Sequence, residues 1–197
     1  LDNSDGQLVP GLEQRWEMLR LIREFRPDLI LTHRPNDYHP DHRYTSQLVQ
    51  DCSYLVSVPN LCSDTSCLEK APVMAYFWDE FKKPHPFKPD VVVDIDSVLD
   101  TKLQMLDCHV SQFYEWLPWI DRHGIQIPDD PSKRLQAVAD FVHVVTRPDD
   151  EARDFLKRYY GDARGCGVIN AESFEACEYG APLNGEAIRW LFPFLGK

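Results

Sequence analysis

The chain has 197 residues, 43% of them hydrophobic, with 21 Lys+Arg against 32 Asp+Glu and a formal net charge of −11. That is enough apolar material for the core of one ordinary domain, and the acidic balance argues against a broad nucleic-acid surface or an anionic membrane surface. No apolar run approaches the ~18 residues of a membrane span and no basic-plus-apolar leader opens the chain, and six cysteines without a Cys-x-x-Cys pair suit a reducing, cytoplasmic setting rather than a disulfide scaffold.

In chain order, residues 1–6 (Leu-Asp-Asn-Ser-Asp-Gly) read as a strand end running into a turn. A domain seldom starts on such a segment, so the chain is expected to be the later part of a larger domain. Met18, Leu21, Ile22 and Phe25 recur at helical spacing, with Leu12, Trp16 and Leu19 broadening the stripe. The helix over 12–25 ends at Arg26, before Pro27. Leu29-Ile30-Leu31-Thr32 is a short, continuously apolar strand, as expected in a parallel sheet covered on both faces. A polar loop over 33–38 leads to a helix starting at His39 or Pro40, with Pro in the first turn, and running to about Val56 over Leu48, Val49, Cys52, Leu55 and Val56.

Residues 57–72 are irregular. Strands follow at 73–78 and 91–95, separated by a proline-rich loop. Ser97 and Asp100 have capping-box spacing for a helix reaching about Gln112. Cys52 and Cys108 read as small buried residues of their helices. Tyr114, Trp116, Pro118 and Trp119 form an aromatic loop, which packing into a core explains better than sugar stacking. A helix is expected over 149–160, and Cys166-Gly167 reads as a turn. Cys62 and Cys67 are spaced to bridge only in an oxidising compartment.

The segment that carries chemistry is His39-Pro40-Asp41-His42. It lies just past an apolar strand, where α/β sheets bind ligands. Positions i and i+3 of a helix start share one face, so the two imidazoles can point into one cavity. Neutral imidazole is the commonest zinc ligand. One ring can ligate while the other serves as general acid or as donor to an oxyanion. Asp41 is placed either to orient a ring N–H or simply to favour the helix dipole. Arg34, Asn36, Asp37 and Tyr38 surround the pair with polar groups. His33 is balanced between a structural and a pocket-lining place, and His109 alone reads as a buried structural histidine.

Residues 29–43 (Leu-Ile-Leu-Thr-His-Arg-Pro-Asn-Asp-Tyr-His-Pro-Asp-His-Arg) closely resemble the second motif of the PIG-L/LmbE-like deacetylase family. Residues 2–6 and 22–28 resemble its lead-in. Lys102 and the stretch Cys108-His109-Val110-Ser111-Gln112 resemble a later segment with a His-x-Ser-Gln core. The resemblance covers roughly residues 1–117. Residues 118–197 match poorly and read as a carboxyl-terminal extension of the same single domain.

The resemblance implies an α/β, Rossmann-like three-layer sandwich of the LmbE type, here without its amino-terminal strands. It implies zinc-dependent hydrolysis of an N-acetyl amide on an N-acetylglucosamine-like sugar or conjugate, with one zinc ion. By that likeness His42 is a zinc ligand, His39 stabilises or protonates the tetrahedral intermediate, and Asp41 supports it. Arg34, Asn36, Asp37, His109 and Gln112 are the expected substrate-binding residues. The family's first motif, His-Pro-Asp-Asp-Glu, supplies the other ligands and the general base, and it is not found in this chain. The nearest string, residues 147–151 (Arg-Pro-Asp-Asp-Glu), puts an arginine where a ligand is needed and reads as an acidic helix start. The expected partner is a small N-acetylated sugar, with no nucleic acid and with room for a homo-oligomer. The competing reading is a non-catalytic sugar-binding or interaction protein that keeps only this half-site.

Overall fold

A computed structural model describes residues 2–120, 127–128 and 130–196. Its contacts group the chain into two compact units, Leu1–Val91 with Ser173–Leu195, and Val92–Glu172.

In the first unit, helix α1 (Leu12–Phe25) leads to strand β1 (Leu29–Thr32), helix α2 (Pro40–Leu55) and strand β2 (Val73–Phe77). The expected boundaries hold closely because prolines set them. Pro27 follows an Arg26 held at φ 52, whose N–H closes α1 on the Ile22 carbonyl. Pro40 occupies the first turn of α2, where its missing N–H costs nothing. β1 and β2 pair in parallel, Leu29 opposite Val73 through Thr32 opposite Tyr76. Strand β3 (Val91–Asp94) opens the second unit, and strand β4 (Ala171–Ala176) lies along the other side of β2. β4 runs antiparallel to β2, with Phe77 opposite Phe174. The architecture is the mixed α/β fold expected.

Pleating sends Met74 and Tyr76 to one face of β2, where they meet Met18, Leu19 and Ile22 of α1 and Leu48, Val49 and Cys52 of α2. The buried face of α1 keeps Met18, Leu19 and Ile22 of the expected stripe but is turned away from Leu12, Leu21 and Phe25. Leu21 and Phe25 are exposed, and Arg23 lies inside at 2% exposure. Its guanidinium donates to six carbonyls, those of Leu55, Val56, Val58, Leu61, Cys62 and Thr65. It thereby closes the carboxyl end of α2, where helix carbonyls lack partners. β1 is an edge strand among the described residues, so Leu31 is exposed rather than covered on both faces. Residues 2–11 hold no strand. They turn at Gly6, whose φ is 75.

In the second unit, helix α3 (Leu99–Asp107) follows a short 3-10 turn at Asp96–Val98. The capping box does not form. Asp96 instead accepts the backbone N–H groups of Ile169 and Asn170. The helix expected to reach Gln112 stops at Asp107, and a π-helical turn (Ser111–Trp116) and helix α4 (Leu117–Ile120) replace the aromatic loop. Trp116 and Trp119 stack on each other at 5.1 Å and stay exposed. Helix α5 (Pro131–Thr146) absorbs the apolar run at 141–145. Helix α6 (Asp150–Tyr160) starts where the acidic string suggested, with Asp149 accepting from the Ala152 N–H. Residues 166–167 end helix α7 (Asp162–Gly167) rather than forming a turn. Back in the first unit, helix α8 (Gly185–Leu191) closes the order of elements.

All six cysteines are free. Cys52 is buried, and burial pushes its thiol up to about 12. Cys108 is exposed at the end of α3, because its side chain points off the face that Leu103 buries. No helix among the described residues is long and apolar enough to cross a membrane.

Candidate functional site

The polar loop between β1 and α2 folds around one carboxylate. Asp37 Oδ1 accepts the His39 backbone N–H at 2.8 Å and lies 3.1 Å from His42 Nδ1. Arg43 returns from the first turn of α2 to donate to the Asp37 and Tyr38 carbonyls. Asp37 is thus nearly buried and sits beside His42, in a supporting place rather than an open substrate-facing one.

His39 is the N-cap of α2, and its Nδ1 accepts the Asp41 backbone N–H at 3.2 Å. A ring nitrogen that accepts carries no hydrogen, so in the neutral ring the proton sits on Nε2. That Nε2 lies 3.7 Å from Asp5 Oδ1, too far for a hydrogen bond. His42 has the opposite arrangement. Its Nδ1 faces a carboxylate, which assigns the proton to Nδ1 and leaves the lone pair on Nε2. The two imidazoles, brought together at ring centroids 4.8 Å apart, therefore present different faces: one N–H donor and one Lewis base.

Asp41 does not orient either ring. Its two carboxylate oxygens accept the backbone N–H groups of Gly6 at 2.6 Å and Leu8 at 3.2 Å, so it ties the 2–8 segment to the start of α2. Arg34 is a correction to the substrate-binding set. It is 2% exposed, and its guanidinium is spent within the fold on Asp79, the Phe81 carbonyl and His85, with Glu175 Oε2 3.1 Å from Nε. It holds the loop after β2 with both Nη groups, and its Nε side lies against Glu175. Asn36 is half-buried in the same loop as Asp37. His109 and Gln112 are exposed residues of the second unit, so His109 is not the buried histidine its helix spacing suggested. Lys102, also in that unit, pairs with Glu172.

Two groups bring potential metal donors within 4.8 Å of one another: His33, Asp37 and His42, and Asp5, His39 and Asp41. The second is occupied by the backbone contacts of Asp41 and His39 already described. In the first, His33 and His42 stack with centroids 4.1 Å apart and planes within 5°. A metal bound to imidazole lies in the ring plane, along the nitrogen lone pair. An ion in the plane of one ring lies well out of the plane of a parallel, stacked one. The geometry therefore fits one edge of a metal site, His42 Nε2 with Asp37 beside it. Burial, and then the neighbouring His42, hold the His33 pKa below the ordinary histidine value.

Residues 1–53, which contain this loop and both imidazoles, match the family model described as PIG-L, GlcNAc-PI de-N-acetylase. That amino-terminal stretch is similar to the PIG-L family. A diacetylchitobiose deacetylase of Thermococcus kodakarensis is 33% identical over 126 residues, which are 60% of this chain and 45% of the relative. The chain thus spans less than half the length of that relative. Among solved structures, N,N'-diacetylchitobiose deacetylase from Pyrococcus horikoshii has a TM-score of 0.61 at 20% identity, covering 91% of this chain and 56% of that one. A conserved protein from Thermus thermophilus has a TM-score of 0.55 at 21% identity, covering 93% and 66%. The 4-carboxy-2-hydroxymuconate hydratase GalB from Pseudomonas putida has a TM-score of 0.53 at 16% identity, covering 88% and 62%. These likenesses show the fold, and at 88% to 93% of this chain they reach beyond the part that the sequence resemblance covered well.

Proposed function

We infer that this chain carries the imidazole half of a zinc-dependent N-deacetylase acting on an N-acetylglucosamine-like sugar. The observation that carries the reading is the contrast in partners of two histidines one helical turn apart, a backbone N–H at His39 Nδ1 and a carboxylate at His42 Nδ1. His42 offers a lone pair backed by the Asp37 carboxylate, the usual partner of a metal-bound histidine's other ring nitrogen. His39 offers an N–H fixed on Nε2 by the Asp41 amide. The deacetylase name of the 33%-identical relative supports an amide substrate on a sugar.

Zinc bound at His42 would lower the pKa of a water and polarise the acyl oxygen. The chain's own residues supply further functions. His39 Nε2–H donates to charge developing on the acyl oxygen and stands ready to pass its proton to the leaving amine. The positive end of α2 lies behind His39 and favours negative charge in front of it. Asp41 keeps the 2–8 segment against this helix start, which holds Asp5 on the His39 side of the site. Asn36, in the same loop as Asp37, is the residue of this unit placed to contact the sugar.

The test is a pair of substitutions in the full-length protein, assayed for acetate release from diacetylchitobiose and for bound zinc. Removing an oxyanion donor typically costs about 10²–10³ in rate, so His39→Ala should lose that much kcat and keep its zinc. His42→Ala should lose the zinc. The reverse pattern would invert the two roles. Sugar binding by the wild-type protein without acetate release would favour a binding protein instead.

A further inference from the structure

His33 is the first residue after β1, and nothing in the proposed chemistry uses it. Its ring lies flat against His42, with centroids 4.1 Å apart and planes 5° from parallel. Behind it stands Phe77, edge-on at 5.9 Å and 64°. Tyr38 also meets His42, in a T-shaped contact at 5.8 Å and 82°. The backbone next to His33 is immobilised by the buried Arg34 and its contacts with Asp79, Phe81 and His85.

We propose that His33 is a positioning residue that fixes the plane of the His42 imidazole by face-to-face stacking and gives no donor of its own to the metal. The inference rests on His42 being a metal ligand. Asp37 meets the His42 ring at one nitrogen only, and Tyr38 and His39 meet it at an angle, so none of them offers it a parallel face. His33 supplies that face and holds the ring plane. Lone-pair direction follows the ring plane, so a fixed plane means a fixed metal position. A neutral aromatic face is also a favourable neighbour for an imidazole polarised by a cation. The parallel planes that suit stacking are the same feature that rules out a shared ion.

Phenylalanine keeps a flat ring and has no ligating nitrogen, which separates stacking from ligation. In the full-length protein, zinc affinity of His33→Phe, His33→Ala and His42→Ala is measured by competition with a chromophoric chelator, zinc being the only ligand added. His33→Phe should stay within about threefold of wild type. His33→Ala should weaken binding by about tenfold, at the lower end of the range for residues that support metal ligands. His42→Ala should lose the zinc. Loss of zinc in His33→Phe comparable to that in His42→Ala would make His33 a ligand and overturn the proposal. Wild-type affinity in His33→Ala would overturn it too, since the stack would then be dispensable. Retention of zinc by His42→Ala would remove the ligand assignment and the proposal with it. If His33→Ala does not fold, the thermal melt and zinc affinity of His33→Phe decide alone.

Discussion

Arg34 and Glu175 show how a buried pair at the edge of a site is weighted. Glu175 Oε2 is buried and has no hydrogen-bond partner, although Arg34 Nε lies 3.1 Å away. Burial raises the Glu175 pKa, and the Arg34 charge only partly offsets it. A carboxyl with a raised folded pKa binds its proton more tightly in the fold than in the unfolded chain. Its contribution to stability is complete below the ordinary value of 4.5 and is lost as pH rises through the raised value. The neutral isostere should therefore be no less stable than wild type at pH 7. Glu175→Gln is expected to match or exceed the wild-type urea midpoint at pH 7, with the gap closing at pH 4. A lower midpoint at pH 7 would mean that the ion pair outweighs the cost of burial. The His39–His42 pair was legible in the sequence because a helix start enforces the i, i+3 geometry. The burial of Arg34 was not, because its partners come from the loop after β2 and from β4, more than forty residues away.

The same contrast recurs between elements. α1, β1 and α2 were readable because Pro27, Pro40 and a four-residue apolar run are local signals. β4 was missed because Ala171-Glu172-Ser173-Phe174-Glu175-Ala176 buries only Ala171 and Phe174 and shows no alternation. α5 buries Val138, Ala139 and Val142 on one face beside Leu135, and it was missed because the exposed Phe141, Val144 and Val145 blur that stripe in the sequence. The link from α1 to the carboxyl end of α2 and the loop after it is also hard to read, a buried cation satisfied entirely by carbonyls. An apolar side chain of similar length at position 23 would leave those acceptors without donors, and each buried unsatisfied polar group costs about 1–3 kcal/mol. Because water can reach some of the carbonyls, Arg23→Met is expected to cost about 3 kcal/mol in urea unfolding with an unchanged m-value. Arg23→Lys should recover only part of this, since an ammonium has three donors and no planar fork. A loss below about 1 kcal/mol in Arg23→Met would show that the 55–65 loop does not depend on this clamp.

At the scale of the molecule, architecture does not choose the chemistry. The same fold appears in a deacetylase and in a hydratase. What distinguishes this chain is the donor set at one loop, and that set can be counted. A catalytic zinc site wants three protein ligands and an open position for water. Among the described residues the site offers His42, with Asp37 beside it, while ring geometry removes His33 and hydrogen bonding occupies Asp41 and the Nδ1 of His39. One imidazole with an adjacent carboxylate leaves at least one ligand position unfilled. The 197-residue polypeptide expressed by itself should accordingly bind zinc weakly, losing it on gel filtration, and should release no acetate from diacetylchitobiose. Elemental analysis after gel filtration and an acetate assay on the same sample check both statements. Stoichiometric zinc with turnover would mean that the described residues hold a complete site, and Asp37 together with a further donor such as His33 or Asp5 would then have to be ligands.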